Sequence, residues 1–187
     1  MSETRPVVTF DMDGVLCRPP FGINPGSNQG KPRTSEGHKS LLWRTDRIRY
    51  LGRRPMPGAR EGFALLARAY DCRVVSARSE EARGLTEAWF ARWFGFIPEI
   101  HLRPHWRESS AGFKARRVPE LGAVAHFEDD PHTASWLADL IPAVFVVDWP
   151  RNRWLTGPAN LYRVQDLAGA VPHLDALPGA SLVSDAV

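Results

Sequence analysis

The chain has 187 residues, 43% of them apolar and 24% charged, with a net charge of +3 and two cysteines. That length suits one domain of ordinary size with a small appended unit, and it excludes two full domains. No apolar run is long enough to span a bilayer, the start MSETRPVVTF lacks the features of a secretory signal, and Cys17 and Cys72 lack metal-ligand spacing, so a cytoplasmic, disulfide-free globular protein is predicted.

The first apolar run, Val7–Phe10, is short and bounded by polar residues, the pattern of a parallel strand buried on both faces. It leads into FDMDGVL, where Asp11 and Asp13 stand two apart and Gly14 permits a sharp turn. Residues 18–56 break the pattern: they are rich in Pro, Gly, Ser and Arg, with one apolar cluster at Leu41, Leu42 and Trp43. An insertion is predicted there, not a core crossover. Nine Lys or Arg lie between Lys31 and Arg60, against Glu36, Asp46 and the neighbouring Glu61, so most of the positive excess sits in the insertion and its exit. Inside it, GSNQGKP is similar to a phosphate loop, but the glycine spacing is one residue short and Pro32 replaces the required hydroxyl; it is predicted to be a flexible loop.

Further along, helical spacing over 59–70 precedes an apolar run at Arg73–Ser76, and a second helix is predicted over 79–94. Trp89, Phe90, Trp93 and Phe94 form a broad face expected in the core. His101 and His105 are four apart, but Pro104 lies between them, so both are expected on the surface and not as zinc ligands on one helix face. A helix over 113–121 carries Lys114, one of only three lysines with Lys31 and Lys39. Then come a strand at Ala123–Phe127, a helix over 133–140 and a strand at Ala143–Val147; beyond Pro172 the small residues suggest a weakly ordered tail. The alternation predicts an α/β fold, a Rossmann-like parallel sheet sandwiched by helices. The expected units are a core of 1–17 and 57–175, a short cap insertion of 18–56 and a tail of 176–187.

In such sheets ligands bind outside the carboxyl ends of the strands. Four of those ends are chemically loaded. Asp11 is placed to attack phosphorus and Asp13 to protonate the leaving oxygen. Ser76, with the amides of Ala77 and Arg78, is placed to hold phosphoryl oxygens, and Lys114 to neutralise charge. The FEDD run, Glu128, Asp129 and Asp130 after Phe127, offers the hard oxygens that Mg²⁺ requires.

The ordered set of DxD, Ser, Lys and an acidic pair resembles the four motifs of the haloacid dehalogenase (HAD) superfamily. The resemblance implies that Asp11 forms an aspartyl-phosphate, that Asp13 is general acid and then base, and that Ser76 and Lys114 bind the phosphoryl group. It implies a Mg²⁺ cofactor with Asp11, Asp13, Asp129 and Asp130 as the metal set, Asp130 acting through water or one layer out; Glu128 has no assigned role. Substrate choice in that superfamily resides largely in the cap. Here the cap would be the insertion, with Phe21 or Trp43 to stack on a base and Arg47, among Arg44, Arg49, Arg53 and Arg54, to attract an anion.

VVDWPRNRWL followed by NLYRVQDL resembles the tail of the 5'(3')-deoxyribonucleotidase family, through Pro150, Asn152, Arg153, Arg163 and Val164, although the region between the first two motifs shows no clear match. The expectation is therefore a Mg²⁺-dependent phosphomonoester hydrolase acting on a small phosphorylated substrate, with a (deoxy)nucleotide as candidate. Polynucleotide 3'-phosphatase or sugar-phosphate phosphatase activity stands as the alternative. From other classes, a phospho-receiver domain is disfavoured because its Lys follows its acidic pair, whereas Lys114 precedes Asp129. A non-catalytic nucleic-acid-binding domain would leave the acids without a purpose.

Overall fold

Runs of β-branched and aromatic residues build the centre of the molecule. In the computed structural model, which describes residues 5–19, 32–37 and 50–177, six strands form one sheet: β1 (Val7–Phe10), β2 (Asp71–Ser79), β3 (Ile100–Arg103), β4 (Ala123–Glu128), β5 (Ala143–Val147) and β6 (Leu161–Val164). All pairings are parallel, in the order β3-β2-β1-β4-β5-β6. Among the described residues five helices accompany them: α1 (Ala59–Leu66), α2 (Arg83–Phe94), α3 (Ser110–Glu120), α4 (Pro131–Leu137) and α5 (Val171–Leu174).

The two-residue period of a strand splits the core between two faces. Val8, Phe10, Phe127 and Phe145 pack with Phe63 of α1, Phe90 of α2 and Leu174 of α5. Val75, Val144 and Val146 pack on the other side with Phe113 of α3 and Leu137 of α4. Across the first face runs an aromatic ladder, Phe10 to Phe127 at 4.9 Å, Phe127 to Phe145 at 4.9 Å and Phe145 to Tyr162 at 5.4 Å. Such pairs contribute roughly 0.5–1.5 kcal/mol each beyond the area they bury, and they tie four adjacent strands into one platform.

From β1 the chain runs outward to β2 and β3, then returns to place β4 on the other flank of β1. That reversal opens a crevice outside the carboxyl ends of β1 and β4. Two local devices shape its rim. Ser109 caps α3 by accepting from the Gly112 amide at 2.9 Å, and Gly112 lets residues 32–37 approach, since a Cβ there would come within 2.6 Å of the Ser35 Cα. Pro131 opens α4 and Asp130 caps it.

Several expectations shift. Strands β3 and β6 lie at the sheet edges and were not anticipated, because IHLR and LYRV carry polar residues on their exposed side. His101 belongs to β3, with its ring half-buried against Arg117 and Glu99, while His105 is exposed as expected. Helix α1 ends at Leu66, β2 extends to Ser79, and a single tight turn over Glu80–Ala82 precedes α2. Trp89 and Phe90 are buried, with Trp93 and Phe94 packed against the same core. Past Pro172 the chain still forms α5, whose Leu174 is fully buried. The feet of the expected insertion run side by side, Arg18 N donating to Arg54 O at 2.8 Å and Met56 N to Leu16 O at 2.8 Å. Phe21, Trp43 and Arg47, the apolar cluster around Trp43, Gly26 to Lys31 of the glycine-rich loop, and residues 178–187 lie outside the described residues. Among the described residues no helix is long and apolar enough to cross a membrane.

Candidate active site

Register delivers the central residues. Phe10 pairs with Phe127 and with Val74, and Asp11 N donates to Phe127 O at 2.9 Å. Asp11 and Glu128 therefore stand level across the crevice, and Ser76 lies beside the turn that follows β1. In that turn Met12 O accepts from the amides of Leu16 and Cys17, and Gly14 adopts φ 89°, a conformation that L side chains resist. Trp149 Nε1 fastens the turn by donating to Gly14 O at 2.9 Å. A cleft of about 500 Å³ opens here, lined by Asp11, Asp13, Ala77, Lys114, Asp129 and Arg151 among others.

Lys114 projects from the start of α3 into this crevice and is buried. Its Nζ lies 2.9 Å from Asp11 Oδ1 and 2.7 Å from Glu128 Oε2. Burial alone would lower the ammonium's pKa, but the two carboxylates outweigh it and hold Lys114 above the usual lysine range. Burial pushes Asp11 up to about 7 against the pull of Lys114. It also lifts Asp129 well above the ordinary carboxylate range, despite an ion pair with Arg151 at 2.7 Å.

Glu128 behaves oppositely, because Lys114 and His126 overcome its burial and hold it below the usual range. Its Oε2 takes Lys114 and the His126 ring, the latter at 3.3 Å, while Oε1 accepts from the amides of Asp129 and Asp130 at 3.1 Å each. Four donors occupy the roughly four lone-pair sites of a carboxylate. Behind it, His126 Nδ1 lies 2.8 Å from Thr9 Oγ1, and burial holds the ring below the ordinary histidine value. Glu128 thus orients Lys114 and the acidic turn, a role invisible in sequence because it precedes the acidic pair.

Oxygens of Asp11, Glu128 and Asp129 lie within 4.8 Å of one another, all on buried residues. With Glu128 committed to its donors, Asp11 and Asp129 are the two acids of the cluster that burial lifts above the ordinary carboxylate range. An all-oxygen donor set with excess negative charge fits a hard divalent cation. Asp13 and Asp130, expected in the metal set, stand outside this close cluster. Asp130 Oδ1 accepts from Thr133 N and Oγ1 at 2.9 Å each, capping α4. Asp13 meets arginines: Arg78 Nε donates to Oδ2 and Nη2 to Oδ1, both at 2.8 Å, and Arg53 Nη1 also donates to Oδ1.

Among the expected phosphate-binding residues, Ala77 lines the cleft, Ser76 is buried with its Oγ accepting from Arg78 N at 3.4 Å, and the Arg78 guanidinium is directed to Asp13. Sequence reasoning missed Arg151 and the work of Asn152. Asn152, fully buried, donates from Nδ2 to Asp129 O at 3.0 Å and to Val147 O at 2.8 Å, while its Oδ1 accepts from Arg163 at 2.6 Å. Pro150 opens the short turn that carries Asn152, and Arg153 pairs with Asp148 at 2.7 Å. The tail motif thus braces the loop that bears Asp129. An Asn in the Pro-Arg-Asn turn five residues past an apolar strand was the available signal.

No protein-family model matches the chain, and no curated protein does. Solved structures do. D,D-heptose 1,7-bisphosphate phosphatase from B. bronchiseptica, complexed with magnesium and phosphate, aligns with TM-score 0.53 and 16% identity over 90% of this chain and 97% of its own. A haloacid dehalogenase-like family hydrolase from Xanthomonas campestris aligns with TM-score 0.61 and 13% identity over 92% and 97%. A chain of the Pnkp1/Rnl/Hen1 RNA repair complex aligns with TM-score 0.55 and 15% identity, over 80% of this chain but 44% of that one. At such identities the likeness is one of architecture, and it gives this chain the α/β fold of haloacid dehalogenase-like hydrolases.

Proposed function

We propose that the chain is a Mg²⁺-dependent phosphomonoester hydrolase with Asp11 as covalent nucleophile. One observation carries the reading: Asp11, buried at the topological switch point, touches Lys114 and shares a close oxygen cluster with Asp129. An Asp11 oxygen bonds to phosphorus as the bond to the leaving oxygen breaks, and Asp13 gives that oxygen its proton. Asp13 then takes a proton from the water that cleaves the aspartyl-phosphate. Ser76 and the amides of Ala77 and Arg78 receive phosphoryl oxygens, while Lys114, held by Glu128, neutralises them. Asp11 and Asp129 would hold Mg²⁺, with Asp130 reaching it through water. Bound there, the ion supplies the charge that lets a carboxylate approach an anionic ester. The test is phosphate release from p-nitrophenyl phosphate. Release that requires Mg²⁺ and disappears in Asp11→Asn supports the reading, and full activity of that variant refutes the covalent route.

A narrower substrate reading rests on a second groove, of about 340 Å³, beside Asp13 through Arg53. Tyr50, Trp89 and Trp93 line it with Arg53, Arg54 and Arg92. Aromatic faces interleaved with guanidiniums suit a base and its phosphates, which favours a (deoxy)nucleotide or a polynucleotide 3'-end over a sugar phosphate. The fold is shared with an RNA repair protein and with a heptose bisphosphate phosphatase alike, so the groove alone carries this preference. Phe21, Trp43 and Arg47 remain the cap residues proposed for substrate choice. A screen of deoxynucleotides, oligonucleotide 3'-phosphates and sugar phosphates separates these esters; binding by the oligonucleotide that weakens steeply with salt marks the polynucleotide end.

A further inference from the structure

Asp13 is held from two directions. Arg78, with 1% of its side chain exposed, grips both carboxylate oxygens in a fork. The guanidinium lies 4.0 Å from the centre of the Tyr50 ring and donates to Thr86 Oγ1 at 3.2 Å, and Thr86 in turn donates to Ala82 O at 3.0 Å. The fork is therefore anchored to the turn that precedes α2 and to the exit of the insertion. Arg53 comes from that exit, with its carbonyl accepting from Trp89 Nε1 at 2.9 Å and its guanidinium on Asp13.

Burying a guanidinium is costly, and a bidentate pair restricts the carboxylate to one plane. A residue that exchanges a proton with a leaving oxygen needs that restriction, because transfer depends on reach and alignment. We infer that Arg78, assisted by Arg53 from the insertion, is a positioning residue that fixes the Asp13 carboxyl for proton transfer to the ester's leaving oxygen. The inference rests on the hydrolase reading of Asp13 given above. In the step it serves, the Asp11–phosphorus bond forms, the phosphorus–oxygen bond to the leaving group breaks, and the Asp13 proton ends on the departing oxygen. The clamp also links the cap to the chemistry, since Arg53 belongs to one and touches the other.

Leaving-group dependence separates alignment from mere support of the fold. A p-nitrophenolate departs as a stable anion and needs little protonation, whereas an alkoxide must be protonated as it leaves. A lysine keeps the charge of Arg78 but cannot fork. With Mg²⁺ present, Arg78→Lys is expected to lose roughly 10-fold or more in kcat/KM on ethyl phosphate beyond its loss on p-nitrophenyl phosphate, within the range a general acid supplies. Arg53→Gln shows the same bias to a smaller degree, and it carries the comparison if Arg78→Lys does not fold. Equal losses on the two esters in folded variants would overturn the inference and leave the arginines a structural role. A wild-type chain inactive on both esters and on the deoxynucleotides, oligonucleotide 3'-phosphates and sugar phosphates of the screen would instead remove the hydrolase reading, and this inference with it.

Discussion

Asp11 and Asp13 are separated by a single residue, yet they occupy opposite electrostatic halves of the crevice. On the β4 side, one lysine serves the carboxylates of Asp11 and Glu128 beside Asp129, and burial raises Asp11 and Asp129. On the β2 side, two guanidiniums converge on the carboxylate of Asp13. The acid-rich half suits the proposed uptake of a cation, the arginine-rich half the proposed alignment of a proton carrier. One turn of backbone, made possible by Gly14, divides them.

Removing the lysine that serves two buried carboxylates of the acid-rich half should have the largest effect on folding. Lys114→Met leaves Asp11 and Glu128 buried without their partner, and breaking a buried pair in this way costs about 3–5 kcal/mol. Urea unfolding checks it; a change below about 1 kcal/mol would show that the acids do not depend on Lys114. In the other half, Asp13→Ala should slow turnover roughly 10²-fold and cost stability as well, because it leaves the buried Arg78 guanidinium without its carboxylate. An unchanged rate reassigns Asp13.

Mg²⁺ probes the same contrast from outside. Asp11 rises from its ordinary 3.8 to about 7 in the folded chain, so the folded state holds a proton that the unfolded chain has already released. Its contribution to stability is greatest at low pH and falls as pH climbs through that window. Cation binding displaces the proton and offsets the penalty of the ionised form. The thermal gain from Mg²⁺ should therefore be larger near pH 8 than near pH 5.5, about 2.7 kcal/mol when the ion is at 100 times its dissociation constant. A gain independent of pH would place the ion elsewhere. The smallest effect belongs to the brace: Asn152→Ala removes the side-chain amide that donates to the Asp129 and Val147 carbonyls, a cost of about 1–3 kcal/mol, and it should weaken the Mg²⁺ response without touching the arginine half.

How much of this could be read from sequence follows from which contacts are local. Strands β1 and β5 have the predicted bounds, because VVTF and AVFVV are apolar nearly throughout and lie centrally. The edge strands escaped notice, since four residues with one wet side do not show a run. Asp11, Lys114 and Asp129 were visible as chemically loaded positions after strands or at a helix start. Their neighbours were not. Arg53 reaches Asp13 across 40 positions of sequence, and Asn152 reaches Asp129 across 23. The tail motif that resembles a nucleotidase turns out to carry bonds that shape the acidic loop, a role that motif spacing cannot distinguish from substrate contact.

The account turns on Asp11 becoming phosphorylated. Incubating the chain with radiolabelled phosphate ester and Mg²⁺, quenching in acid within a turnover and mapping the label by peptide mass analysis tests it directly. The account predicts label on the peptide containing Asp11, lost in Asp11→Asn and discharged as inorganic phosphate when the quench is delayed. Steady turnover with no labelled protein, or label on any other residue, would contradict it.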